Sequence, residues 1–368
     1  MSAGRSERAE TPMKTVRVAL GERSYPIRIG AGTLDDAGAA IAKATGARQV
    51  AVLTVPGVGR RYAPRLLRSL KAAGVRARRI EVPDGDATKN LRQAAKLYDA
   101  FLEQGLDRRS ALVALGGGMV GDLTGYAAAT YLRGIPFVQV PTTLLSMVDA
   151  SVGGKVAVNL KQGKNLVGAF HQPRLVWIDS ETLRSLPARE RAAGMAELIK
   201  HAAIRDARLF AQLERDVEAA LALDPAVLNA AIARSCRIKA EVVAQDEREG
   251  GVRMLLNFGH TLGHAVEKKY RYGRVLHGEA VSMGMVYAAR RSEELALAPA
   301  GTAARLEALL QRAGLPTELP QFARKAYLDA LRVDKKKQDE RIRFVVLRRI
   351  GEAETRPLTP EEIYPLRP

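Results

Sequence analysis

The sequence predicts an α/β N-terminal domain on a parallel sheet, followed by an all-α C-terminal domain. Short apolar runs alternate with amphipathic helical runs up to about residue 141, the spacing of strand–helix units in a parallel sheet. A glycine cluster, Gly116-Gly117-Gly118, joins one such run to the next helix. Beyond Leu186 the chain turns Ala-rich with helical periodicity and few strand signals.

In chain order, residues 14–29 alternate apolar and polar (V-R-V-A-L, then Y-P-I-R-I), as a strand pair at a sheet edge does. Gln49–Thr54 reads as a buried strand and Tyr62–Ala73 as an amphipathic helix closed by Gly74. Arg79–Val82, Ala111–Leu115 and Phe137–Val140 are further strands, and Leu91–Gln104 is a helix. Helical periodicity covers 188–205, 206–222, 225–246, 255–270, 278–295 and 301–313. A strand at 341–347 either returns to the sheet or closes the helical part. The expected organisation is a disordered tail at 1–13, an α/β domain at 14–187 and a helical domain at 188–368.

With 368 residues and 47% apolar content, the chain can bury two cores. A single cysteine, Cys236, excludes an internal disulfide framework, suits a reducing cytoplasm and reads as a packing residue in a helix. No apolar run reaches the ~18–20 residues a membrane helix needs. The polar first dozen residues lack the apolar segment of a signal peptide. The net charge of +18 is carried by scattered arginines, with seven Phe and one Trp and no nucleic-acid motif. That favours an anionic small-molecule substrate over nucleic acid.

G-G-G-M-V-G-D at 116–122 contains a dinucleotide signature, whose glycines let a pyrophosphate reach the amides of a helix N-terminus. The acidic residue expected about 20 positions on is absent, so a dinucleotide would be held in a non-standard way. Asp84-Gly85-Asp86-Ala87-Thr88-Lys89 is a polar loop at another strand's C-terminal end. The stretch from Asp149, D-A-S-V-G-G-K-V-A-V-N-L-K-Q-G-K-N, has the composition of an anion-binding loop. Glu197, Lys200 and His201 fall on successive helical turns and, taken alone, read as an ordinary charged face. His260 and His264, four apart, project from one helix face, where both can hold one metal or one can bind metal while the other moves protons. His277-Gly278-Glu279 follows closely, and Asp334 to Lys337 adds late positive charge. Together these residues indicate a nicotinamide- and metal-dependent enzyme acting on a phosphorylated or carboxylated small molecule.

The ordered series of motifs goes further. D-G-D-A-T-K-N (84–90), G-G-G-x-x-G-D (116–122), Y-L-R-G (131–134) and P-T-T-L-L-S-M-V-D-A-S-V-G-G-K (141–155) lie in the first half. G-K-N-L-V-G-A-F (163–170), A-E-L-I-K (196–200), R-x-x-L-N-F-G-H-T-L-G-H-A-V-E (253–267), H-G-E-A-V (277–281) and D-K-K (334–336) follow. From roughly Val16 to Glu352 the chain resembles the 3-dehydroquinate synthase family of sugar phosphate cyclases. The resemblance implies an NAD-binding α/β domain, a helical metal domain, an active site between them and a homodimer. It makes Glu197, His260 and His277 the ligands of one zinc or cobalt ion, with His264 left to the substrate or to protons. It maps NAD contacts onto Asp84, Gly85, Lys89, Gly118, Gly121, Asp122, Thr142, Thr143, Lys155, Lys164, Thr182, Leu183 and Ser185. Asp149, Lys155, Lys200 and His264 become catalytic. Arg133, Asn165, Lys239, Arg253, Asn257 and Lys335 or Lys336 become substrate contacts, Arg133 reaching the neighbouring subunit's phosphate pocket. The implied reaction converts 3-deoxy-D-arabino-heptulosonate 7-phosphate to 3-dehydroquinate and phosphate by transient oxidation, phosphate elimination, re-reduction and intramolecular aldol closure.

Two places depart from the family's pattern. T-V-P-G-V at 54–58 replaces the usual polar residue after the second strand, and His201 stands where relatives often have Tyr. Cyclases that make inosose or valiolone share the fold, the metal triad and the NAD chemistry but act on substrates without a carboxylate, so Lys239 and Arg253 favour dehydroquinate synthesis. A metal-dependent alcohol or glycerol-phosphate dehydrogenase would not need the phosphate-side lysines. A non-enzymatic basic interaction protein would leave the ordered motifs without a purpose.

Overall fold

The computed structural model describes residues 13–270, 274–333 and 341–364. Strands β1 (Lys14–Val18) and β2 (Tyr25–Gly30) form the antiparallel pair expected from their alternation. Helix α1 (Ala37–Thr45), β3 (Gln49–Thr54), α2 (Pro56–Ala72), β4 (Arg76–Glu81) and α3 (Leu91–Glu103) follow. Then come β5 (Ala111–Gly116), α4 (Gly118–Thr130), β6 (Phe137–Pro141), β7 (Lys155–Leu160), β8 (Gly163–Phe170) and β9 (Leu175–Asp179). Seven strands form one sheet in the order β1-β2-β9-β6-β5-β3-β4, parallel from β2 onward.

The strand period of two decides which layer each side chain joins. On β5, Ala111, Val113 and Leu115 face α1 and α2 with Ile41 and Leu66, while Leu112 and Ala114 face α3 and α4 with Leu97 and Phe101. Both faces are covered, which is why the central strands read as unbroken apolar runs.

The second part is built on α5 (Ala188–Arg205), α6 (Ala207–Leu221), α7 (Pro225–Gln245), α8 (His260–Lys269), α9 (His277–Glu294), α10 (Thr302–Arg312) and α11 (Arg324–Val333). It is not wholly helical. β10 (Ile342–Arg349) pairs with β11 (Glu352–Leu358) as a separate hairpin, so the predicted strand closes this part and does not rejoin the sheet. The apolar faces of β1 and β2 (Val16, Val18, Tyr25, Ile27) belong to this helical core.

Other differences have local causes. α2 starts at Pro56, before Tyr62, because proline's fixed φ suits a first helical position. α8 starts at His260 and not at 255, since Gly259 is left-handed with φ +80°. The stretch after Asp149, expected as a loop, forms the β7–β8 hairpin. The tail is an expectation for residues of which 1–12 lie outside the described part.

Three helices meet through glycine. A Cβ at Gly278 would lie 1.9 Å from the Ala193 carbonyl oxygen, and one at Gly284 would lie 2.0 Å from that of Gly259. α9 therefore touches α5 and α8 backbone to backbone, which brings Glu197, His260 and His277 together. Gly278→Ala should overpack this contact and cost about 1–3 kcal/mol. Equilibrium denaturant unfolding of metal-free protein checks this, the expected result being a lower midpoint with an unchanged slope.

Candidate active site

β3 is flanked by β4 on one side and β5 on the other, so the strand order reverses there. In an open parallel sheet, ligands bind beyond the carboxyl ends of strands at such a reversal. Gly116–Gly118 and the T-V-P-G-V segment sit there. α4 begins at Gly118 with no side chain capping its amides and no acidic residue in its first turn. A Cβ at Gly117 would approach Thr143 Cγ2 to 3.1 Å, and one at Gly118 the Ala150 Cβ to 3.3 Å. An uncapped helix N-terminus beneath bare glycines fits the pyrophosphate of NAD. Gly121 has a packing reason of its own, since a Cβ there would lie 2.5 Å from Gln139 Oε1.

Lys89 is buried and ties three predicted elements together. Its Nζ donates to Asp122 Oδ2 at 2.8 Å and to Asn165 Oδ1 at 2.5 Å. Burial raises the Asp122 carboxyl although Lys89 opposes it. Lys164 pairs with Asp86 at 3.0 Å, while Asp84 and Gly85 lie on the exposed part of that loop. Thr142 is buried, and Thr143 shares a 2.8 Å hydroxyl contact with Ser146. Thr182 and Leu183 are buried, and the Tyr62 hydroxyl contacts Ser185 Oγ at 2.7 Å and the Thr182 carbonyl at 2.9 Å. Tyr62 has no motif around it that would single it out.

Glu197, Lys200 and His201 are not a charged surface. Their relative exposures are 0%, 1% and 0%. Glu197 Oε1 has no hydrogen-bond donor among the described residues. It lies 3.7 Å from His260 Nε2 and 3.5 Å from His277 Nε2. Donor atoms each about 2 Å from a tetrahedral zinc stand roughly 3.3 Å apart, so these three atoms fit one divalent ion. The other ring nitrogens are engaged. His260 Nδ1 faces the Phe258 carbonyl at 3.2 Å and His277 Nδ1 faces Glu267 Oε2 at 3.4 Å, which leaves both Nε2 atoms aimed at Glu197. Glu267 closes the H-A-V-E motif three residues after His264; the spacing could have found it, since the two share a helix face.

The electrostatics suit cation binding. Burial alone would raise the Glu197 carboxyl, but Lys200, His277 and His260 hold it well below its usual range. Burial and Lys200 keep His260 neutral. Burial opposes a proton on His277, yet Glu197 and Glu267 hold its imidazole up to about 10, so an incoming cation displaces a proton there. His264 is on the exposed side, within 4.8 Å of Glu267 and His277.

A second cluster adjoins the triad. Asp149 sits on one widened helical turn, Ser146–Ala150, a form common at functional sites. Lys239 Nζ donates to Asp149 Oδ1 and to the Asp149 carbonyl, both at 2.6 Å. Burial would raise Asp149, but Lys239 and Lys200 hold it far below the carboxylate range. His201 Nε2 stands 3.7 Å from Asp149 Oδ1, and His201 Nδ1 lies 2.7 Å from Ser235 Oγ. Lys155 pairs with Glu249, which also accepts from Asn257 Nδ2 at 3.2 Å. Arg253 is buried and donates to the Gly153 carbonyl at 3.2 Å and to that of Glu247. Glu249, Ser235 and Glu267 were not singled out from the sequence. Arg133 stands apart on an exposed left-handed turn with φ +70°. Lys335 and Lys336 lie outside the described residues. Cys236 is buried, as a packing residue should be, and its thiol is pushed up to about 12 by burial.

The comparisons with known proteins agree across the chain. The family model described as 3-dehydroquinate synthase N-terminal matches residues 79–193, and the one described as 3-dehydroquinate synthase C-terminal matches 194–337. The 3-dehydroquinate synthase of Geobacter metallireducens is 52% identical over 92% of this chain and 94% of its own. That of Bordetella pertussis is 51% identical over 94% and 96%. Among solved structures, a 2-deoxy-scyllo-inosose synthase complexed with carbaglucose-6-phosphate, NAD+ and Co2+ aligns with a TM-score of 0.86 at 27% identity, over 95% of this chain and 98% of its own. A 2-epi-5-epi-valiolone synthase from Streptomyces hygroscopicus with NAD+ and Zn2+ gives 0.85 at 29% identity, over 94% and 96%. An iron-containing alcohol dehydrogenase at 14% identity and TM-score 0.66 shares the fold alone. Because the two family models together span residues 79–337 and relatives about 50% identical cover more than 90% of the chain, the chain belongs to the 3-dehydroquinate synthase family.

Proposed function

We propose that this enzyme, a carbon–oxygen lyase acting on a phosphorylated small molecule, converts 3-deoxy-D-arabino-heptulosonate 7-phosphate to 3-dehydroquinate and phosphate. The observation that carries the reading is the convergence of Glu197, His260 and His277, linked through Asp149 and its neighbour Ala150 to the uncapped N-terminus of α4 at Gly118. A zinc or cobalt ion held by those three residues would supply Lewis acidity, and NAD at the glycine turn would supply a hydride acceptor. The chain's own residues position and neutralise. Lys155, Asn257 and Arg253 line the side where a carboxylate or phosphate would settle, and Glu249 holds Lys155 and Asn257 meanwhile. Asp149, kept ionised by Lys239, presents an acceptor to a substrate hydroxyl. His264 is placed to move a proton at the open side of the triad. Lys89 holds the Asp84–Lys89 loop, α4 and β8 as one cofactor-facing unit.

The protein is read as two domains joined at Pro187. It is also read as a cytoplasmic homodimer in which Arg133, exposed on its left-handed turn, reaches the neighbouring phosphate pocket. No helix among the described residues is long and apolar enough to cross a membrane. Identity near 50% with named 3-dehydroquinate synthases favours this substrate over those of the inosose and valiolone cyclases, at 27% and 29%.

Phosphate release from the heptulosonate phosphate tests the reading. Metal-loaded protein should release many equivalents per NAD+, stop on chelation and recover with zinc or cobalt. Intact, metal-loaded protein that releases no phosphate would overturn it.

A further inference from the structure

His201 is completely buried, yet its Nε2 has no hydrogen-bond partner among the described residues. An imidazole in that condition is costly to keep unless the free nitrogen has a task. Its surroundings specify which. Ser235 and Lys239 are four apart on α7 and present the same face. Ser235 Oγ meets His201 Nδ1 at 2.7 Å, while Lys239 Nζ holds Asp149 at 2.6 Å. His201 Nε2 then looks at Asp149 Oδ1 from 3.7 Å, and its ligand-type atom lies within 4.8 Å of those of Asp149 and Glu197.

Two neutral tautomers are available. With the proton on Nδ1, the Nε2 lone pair would face two carboxylates in a buried site, which is repulsive. With the proton on Nε2, the Ser235 hydroxyl donates to Nδ1 and the Nε2–H bond points at Asp149, so both nitrogens are satisfied. The imidazole stays uncharged because burial, with Lys200 and Lys239 nearby, pushes its pKa down to about 3. The small closure from 3.7 Å to hydrogen-bond distance is of the kind catalytic contacts make when substrate binds.

We infer that His201 is a positioning residue, set in its Nε2–H tautomer by Ser235, which aims the Asp149 carboxylate at the reacting substrate. The inference rests on the proposed function, in which Asp149 touches substrate. It differs from the metal-ligand role that the clustered donor atoms of Asp149, Glu197 and His201 would also allow, and the zinc content of a His201 variant separates the two.

The test uses full-length, zinc-loaded protein and four measurements: kcat, KM, NAD+ affinity and zinc content. In His201→Phe, kcat should fall about 10–100-fold, the range for lost orienting partners. KM, NAD+ affinity and zinc stoichiometry should stay within about twofold of wild type. His201→Gln, whose amide nitrogen can replace Nε2–H, should recover most of kcat, which a cavity-filling role would not allow. Ser235→Ala, a change of one oxygen atom, should lose kcat to a smaller extent and keeps the test open if the Phe variant fails to fold. An unchanged kcat in His201→Phe, no recovery in His201→Gln, or loss of zinc from His201→Phe would each overturn the inference. Wild-type protein that releases no phosphate would overturn the proposed function instead.

Discussion

His277→Ala should abolish turnover and strip the metal while leaving the fold intact. His277 opens α9 and its side chain is 30% exposed, so truncation leaves no deep cavity. What it removes is one of the three donor atoms, Glu197 Oε1, His260 Nε2 and His277 Nε2, together with the Nδ1 contact that holds Glu267. A two-donor site binds a divalent ion far more weakly. Without the ion's charge stabilisation, worth several kcal/mol, kcat should fall by at least ~10³-fold, since each 1.4 kcal/mol is tenfold. Phosphate-release kinetics and metal analysis after gel filtration read both effects. Wild-type protein should also show a signature of the His277 proton. With its imidazole held up to about 10, each zinc bound below that pH expels one proton, so affinity should rise about tenfold per pH unit between 6 and 8. Retained zinc and activity in His277→Ala would remove this residue from the site.

Lys239→Met should be nearly as damaging, by another route. The ammonium group donates twice to Asp149 from a position where both groups are largely shielded. Removing one member of a buried pair leaves the other uncompensated, at a cost of about 3–5 kcal/mol. The sign with pH follows from Asp149. Its carboxyl is held below the ordinary value in the folded enzyme, so the pair contributes stability above roughly pH 4 and loses it as pH falls through the folded value. The variant's deficit should therefore be full at pH 7 and shrink toward acid, where Asp149 can take up a proton instead. Thermal melts at pH 3 and pH 7.5 measure this, and an equal deficit at both would contradict the pairing. Turnover should fall with stability, because Asp149 would no longer be held as an anion facing the substrate.

Much of this architecture was legible in the residues. Gln49–Thr54 and 188–205 match their elements to the residue, because a continuous apolar run and an 18-residue helix leave little ambiguity. β9 is not legible as a strand because four apolar residues and an aspartate after H-Q-P-R carry no period of their own. β4, R-A-R-R-I-E, was seen only in part, since an edge strand need not be apolar. β11, E-A-E-T-R-P-L, has no strand pattern and is a strand only because β10 pairs with it.

The site divides along the same line. By itself the sequence determined the alternation that builds a parallel sheet, the glycine turn at its crevice, the i,i+4 histidines and, through its ordered motifs, the family. Local spacing suffices for these, because period and turn chemistry are properties of neighbouring residues. Only the tertiary structure decided that Glu197, Lys200 and His201 are buried and not a charged face. It alone set the Nε2 atoms of His260 and His277 on one carboxylate oxygen while His264 stays on the exposed side. Those outcomes depend on α5, α8 and α9 packing backbone to backbone at Gly278 and Gly284, and no local pattern encodes which faces of distant helices will meet.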